Sequence, residues 1–139
     1  MKEIYHCLHI SAHLQEIYSA LTDKEGLAGW WTKDVDVEGT PGSVSTFRFA
    51  SGAFNQMKIV LLEPTRVCWE CVDGHTEWIG THVLFELSQD DEGVRVCFSH
   101  YGFREQTEYV GACSFHWAYY LTSLQKYCET GQGTPNEGA

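Results

Sequence analysis

Between Glu3 and Ile10 apolar and polar positions alternate, with Ile4, His6, Leu8 and Ile10 on one face and Tyr5, Cys7 and His9 on the other. That period of two predicts a strand with one buried face. From about His13 to Leu21 the period changes. Leu14, Ile17, Tyr18 and Leu21 recur at spacings of three and four, the stripe of an amphipathic helix. Thr22-Asp23-Lys24-Glu25 has capping-box spacing and predicts a second short helix from Asp23 to Ala28, ended by Gly29. After the turn cluster Glu38–Ser43, strand-like runs follow at Val44–Ala50, Gln56–Leu62, Arg66–Val72, Trp78–Ser88 and Val94–His100. Short turn sequences separate them, which implies hairpins and an antiparallel meander.

The helical period returns from about Gln106 to Thr130, where Val110, Cys113, Trp117, Tyr120 or Leu121, Leu124 and Cys128 share a face. Gly131 is positioned to stop this helix. The segment from Gln132 to Ala139 is rich in Gly and polar residues and is expected to fray as a flexible tail. One domain over residues 1–131 is therefore predicted. Its α+β fold is a curved antiparallel sheet wrapped around the long C-terminal helix, with two short helices after the first strand. A long amphipathic helix needs an apolar surface, and the concave face of the sheet supplies it. Alternation assigns that face to Val67, Trp69 and Cys71, to Thr81, Val83, Phe85 and Leu87, and to Val94, Val96, Phe98 and His100.

Composition narrows the partners. A chain of 139 residues with 43% hydrophobic and 14% aromatic residues has ample material for one core. A formal net charge of −10 argues against nucleic-acid binding, which needs cations to meet phosphates, and against anionic lipid surfaces. No stretch is long and apolar enough to insert in a membrane, and Met1–His6 lacks the apolar run of a signal peptide. The expected location is the cytoplasm. The six cysteines fall in predicted strands and a helix and are read as free thiols.

Several phrases together resemble the activator-of-heat-shock-chaperone-ATPase-like branch of the START-like (SRPBCC, helix-grip) superfamily. They are Ile17–Asp23, Trp30-Trp31, Val67–Cys71, Trp78–Thr81, Phe98–Gly102, and Trp117 with Leu121, Leu124 and Gly131. Their order and spacing carry the resemblance over about Ile4 to Gly131. One departure is His13-Leu14-Gln15-Glu16, where family members often begin the helix with a Ser- or Thr-Pro-Glu phrase. The resemblance implies the helix-grip fold with an apolar cavity between sheet and helix. It implies no reaction; related branches bind lipids, hormones or polyketides, and a few are cyclases or aromatases.

The candidate ligand-binding residues are Trp30, Trp31, Phe47, Phe49, Trp69, Phe98, His100 and Trp117. The aromatic rings either wall a pocket for a planar or acyl ligand or simply fill the core. His100, placed inward by alternation, either orients a ligand, acts as an acid or base, or is satisfied within the fold. Of the adjacent tryptophans, one is expected in the core and the other, Trp31, at the cavity mouth near His100. No metal site is expected. Cys68 and Cys71 are three apart on a strand and diverge, and His6, Cys7, His9 and His13 have no ligand spacing. Cys113 and His116 are helical neighbours, but Cys113 lies on the packing stripe, where a thiol is usually inert. No phosphate loop or nucleophile elbow occurs, and no cofactor is implied.

The first functional expectation is a cytosolic module holding a small hydrophobic molecule such as a lipid, polyketide or aromatic metabolite. A protein-interaction module with a chaperone partner, implied by the resemblance alone, comes second. A separate N-terminal domain of the kind that eukaryotic activators carry is not expected from this sequence. A cyclase-like enzyme using His100 comes last, because no second titratable group pairs with it and no catalytic residue is assigned.

Overall fold

The computed structural model describes residues 3–139. Strand β1 (Glu3–Ile10) leads into α1 (Leu14–Thr22) and α2 (Lys24–Trp30), followed by β2 (Asp34–Asp36). Strands β3 (Val44–Arg48), β4 (Phe54–Glu63), β5 (Arg66–Asp73), β6 (His82–Asp90) and β7 (Gly93–Tyr101) precede α3 (Glu108–Thr130). All seven strands form one antiparallel sheet in the order β1-β7-β6-β5-β4-β3-β2. The first strand thus closes against the last, and β1 and β2 are the edges. This is the α+β helix-grip fold.

Alternation on the strands sorts the core as expected. Val67, Trp69, Cys71, Thr81, Val83, Phe85, Leu87, Val94, Val96, Phe98 and His100 are all buried. From α3 they meet Val110, Cys113, Trp117, Leu121 and Leu124. Thr107 caps the N-terminus of α3 by accepting from the Val110 amide at 3.2 Å, and Gly131 ends it in the left-handed region with φ 87°. His13 stands in place of the usual helix-start phrase, and its amide donates to the Glu16 carboxylate at 3.1 Å.

Four expectations need correction. Thr22 does not cap α2: it is the last residue of α1, and its hydroxyl donates to the Tyr18 carbonyl at 2.8 Å. Asp23 is the N-cap instead, without a side-chain bond. Gly29 does not end α2, which continues to Trp30; a Cβ there would run into the Tyr127 ring, so the glycine serves the close approach of α2 to α3. Trp78 is not in a strand. It sits in a turn in which the Trp78 and Ile79 amides both bond the His75 carbonyl, and Gly80 supplies φ 89° before β6 begins.

The fourth correction is the C-terminal segment, which is docked and not frayed. Asn136 forms a parallel bridge with Thr32, its carbonyl accepting from the Lys33 amide at 3.0 Å and its amide donating to the Trp31 carbonyl at 2.8 Å. The Asn136 side chain accepts from the Ala50 amide at 2.9 Å. Buried Ser123 of α3 anchors the segment from below. Its hydroxyl donates to the Trp30 carbonyl at 2.8 Å and accepts from the Thr134 amide at 2.7 Å. Gly133 permits this approach, since a Cβ would lie 2.7 Å from the Gly29 carbonyl oxygen and 2.8 Å from that of Ser123.

Candidate functional site

Most of the space between α3 and the sheet is filled by rings. Trp31 is the hub: its ring centroid lies 4.3 Å from Phe47, 5.1 Å from Trp117, 5.7 Å from Phe49 and 5.9 Å from both Trp30 and Trp69. Phe85 packs edge-on to Trp69 at 5.2 Å and to Phe98 at 5.4 Å, and Phe98 meets Trp117 at 4.6 Å. Edge-on and offset contacts of this kind add to plain burial. Trp30 is wholly buried and its indole N–H donates to the Ala20 carbonyl at 2.7 Å. It is a core residue.

Open space remains at one end of this aromatic stack. A concavity of about 400 Å³ lies between the first half of α3, the β3–β4 hairpin and the docked C-terminal segment. Trp31, Trp78 and Trp117 border it, with Phe49, Tyr109 and Tyr120 around them. Asn55, His116 and Asn136 supply its polar groups. The local fold explains the arrangement. The turn before β6 folds Trp78 under α3, where its indole N–H meets Cys113 Sγ at 3.3 Å and its ring stacks on Trp117 at 6.0 Å. Burial pushes the Cys113 thiol up, which disfavours a thiolate where it borders the concavity.

Of the eight residues singled out in the sequence, the structure brings Trp31, Phe49 and Trp117 to this concavity. Trp30, Phe47, Trp69 and Phe98 lie in the packed core, and His100 lies beside it. Trp31 therefore does not sit at a mouth next to His100. It is 2% exposed and touches the concavity from within the stack.

His100 is fully buried and both ring nitrogens are engaged. The Trp117 indole N–H donates to Nδ1 at 3.0 Å. An indole nitrogen can only donate, so Nδ1 is the unprotonated nitrogen. Nε2 then carries the hydrogen and donates to Thr81 Oγ1 at 2.8 Å, while the Thr81 hydroxyl donates to the Trp78 carbonyl. This one-way chain links α3 and β7 to the turn that precedes β6. Burial, reinforced by nearby His82, pushes the His100 imidazole down to about 3, so it stays neutral.

Trp78, Tyr109 and Asn136 escaped the sequence reading. Trp78 reads as a strand residue in the sequence, Tyr109 lies off the main packing stripe, and nothing in a Gly-rich terminus signals a docked asparagine. Tyr109 is held by a parallel stack on His75, centroids 3.8 Å apart. Among the described residues no group of three or more His, Cys, Asp or Glu side chains is arranged to hold a metal, and no helix is long and apolar enough to cross a membrane.

Comparison with known proteins agrees with this architecture. The solution structure of the Aha1 dimer from Colwellia psychrerythraea is 36% identical, with a TM-score of 0.88 over 96% of this chain and 100% of that one. Protein MLL2253 from Mesorhizobium loti, 18% identical, has a TM-score of 0.79 over 89% of this chain and 94% of its own. An AHSA1-like protein from Aeromonas hydrophila, 17% identical, has a TM-score of 0.71 over 90% of each chain. The latter two establish fold alone. No curated protein matches the sequence. The model of the Activator of Hsp90 ATPase homolog 1-like proteins matches residues 11–129, and the chain belongs to that family.

Proposed function

We propose that the protein binds a small, flat, largely apolar molecule, of the aromatic-metabolite or polyketide kind, in the concavity beside Trp31, Trp78 and Trp117. One observation carries this: three indole rings, each almost fully buried, still border a space of about 400 Å³. That volume falls in the range of small-molecule sites, which are concave and mostly apolar with a few polar groups. Asn55, His116 and Asn136 are the groups to orient the ligand. His100 is assigned no role in turnover, because a neutral imidazole with both nitrogens bonded has none to offer substrate. Titration with flavonoid, polyketide and fatty-acid probes, followed by tryptophan fluorescence, tests the proposal. Planar probes should bind saturably, and Ala112→Trp, which fills the concavity from the exposed side of α3, should weaken them at least tenfold, about 1.4 kcal/mol. Equal binding by both proteins would place the ligand elsewhere.

A second reading, self-association, has its own support. From Tyr109 to Gln125 helix α3 carries no Asp, Glu, Lys or Arg, and its outward side presents Phe115 at 80% exposure and Tyr119 at 55%. An uncharged face of this kind suits a second copy of the same chain related by a twofold axis. The relative from Colwellia psychrerythraea is a dimer. Sedimentation velocity should give a dimer that Phe115→Glu converts to monomer; a monomeric wild-type protein would end this reading.

A further inference from the structure

Closure of the sheet by β1 against β7 creates a side-chain pair on the convex face, away from α3. Cys7 and Cys97 are directly opposed in the antiparallel register. Their sulfurs are 2.9 Å apart. Directly opposed residues in such a pair have Cα atoms about 4.5–5.5 Å apart, inside the span that a disulfide bridges. Cys7 is exposed and Cys97 half-buried. The other four cysteines differ. Cys68, Cys71 and Cys113 are buried and Cys128 half-buried, and burial pushes all four thiols up, Cys71 to about 11 and Cys128 to about 12.

The surroundings suit thiolate chemistry at Cys7 in particular. The Tyr5 hydroxyl, on the same face of β1, lies 3.2 Å from Cys7 Sγ. The bond to Cys97, then the contact with the Tyr5 hydroxyl, and the nearby Arg95 of β7 hold the Cys7 thiol below its usual range. Burial and the neighbouring Cys7 raise Cys97. The Tyr5 phenol is raised as well, so it keeps its proton and can donate to a Cys7 thiolate.

We propose that Cys7 and Cys97 form a reversible dithiol–disulfide site on the outer face of the sheet, oxidised by low-molecular-weight disulfides of the glutathione class. The Cys7 thiolate attacks one sulfur of the small disulfide, forming a mixed disulfide and expelling one small thiolate. Cys97, giving up its proton, then attacks Cys7 Sγ and expels the second. The protein dithiol loses two electrons, the small disulfide gains them, and the two protons leave on the two small thiols. The new bond pins edge strand β1 to β7. Because α3 leans on β1, through Gln125 donating to the His9 carbonyl at 2.7 Å, the bond also supports the helix.

The test is incubation of the folded protein with oxidised glutathione, then denaturation, alkylation and intact-mass and peptide mapping. The reduced protein should accept one alkyl group on each of its six cysteines. The oxidised protein should accept two fewer, with one crosslinked peptide pair containing Cys7 and Cys97, and should unfold at a higher temperature. Reduction by dithiothreitol should restore both properties. Cys97→Ser should stop at a glutathione adduct on Cys7. Three results would overturn the proposal: six alkylated thiols after treatment that fully oxidises dithiothreitol, a bond mapped to any other pair, or a wild-type protein that stops at the mixed disulfide.

Discussion

A single imidazole gives the protein a defined pH response. His100 is charged in the unfolded chain below about pH 6.5 but is held to about 3 by burial in the fold. Between those values the unfolded state binds the extra proton, so stability rises with pH and is lost as pH falls through the window. The slope from this group approaches about 1.4 kcal/mol per pH unit. Urea unfolding at pH 4.5 and 6.5 checks it: His100→Phe should lose stability at both values but show a smaller difference between them. Equal pH differences in the two proteins would mean that His100 is not held neutral. Its inward position was readable from the alternation Val94, Val96, Phe98, His100. Its satisfaction was not, because Thr81 and Trp117 reach it from other elements and no local spacing records that meeting. The pair Cys7 and Cys97 was hidden for the same reason: 90 residues of separation collapse to one register position only when β1 closes on β7.

At the scale of elements, period separated helix from strand well, because each long element buries one face. Strand β2 left no pattern, since three residues are too few to alternate, and Trp78 was drawn into β6 because an inward aromatic reads like a strand residue. The docked C-terminal segment was the largest departure. Glycine and polar residues usually mark a free end, yet here Gly133 is small so that the chain can lie against Gly29 and Ser123. Gly133→Ala should therefore destabilise by about 1–3 kcal/mol, the usual cost of overpacking, and not act as the mild stiffening of a loose tail. Chemical denaturation measures this directly; an unchanged midpoint would mean the segment is not seated. The same substitution should loosen Asn136 and so weaken any ligand held beside it.

For the molecule as a whole, aromatic side chains fill most of the described space between the sheet and α3. Their interior is packed with Trp30, Phe47, Trp69, Phe85 and Phe98, and a concavity opens where Trp31, Trp78 and Trp117 meet the docked segment. The grip of sheet on helix therefore divides five tryptophans into two classes, two in the core and three beside the concavity. Their indole N–H groups make this division measurable. The direct measurement is a heteronuclear NMR titration of the labelled protein with the tightest planar probe, following the five indole signals. Trp31, Trp78 and Trp117 should shift together and saturate at one equivalent while Trp30 and Trp69 move least. Shifts confined to backbone amides of the convex face, with the three indoles unmoved at saturation, would contradict the proposed site.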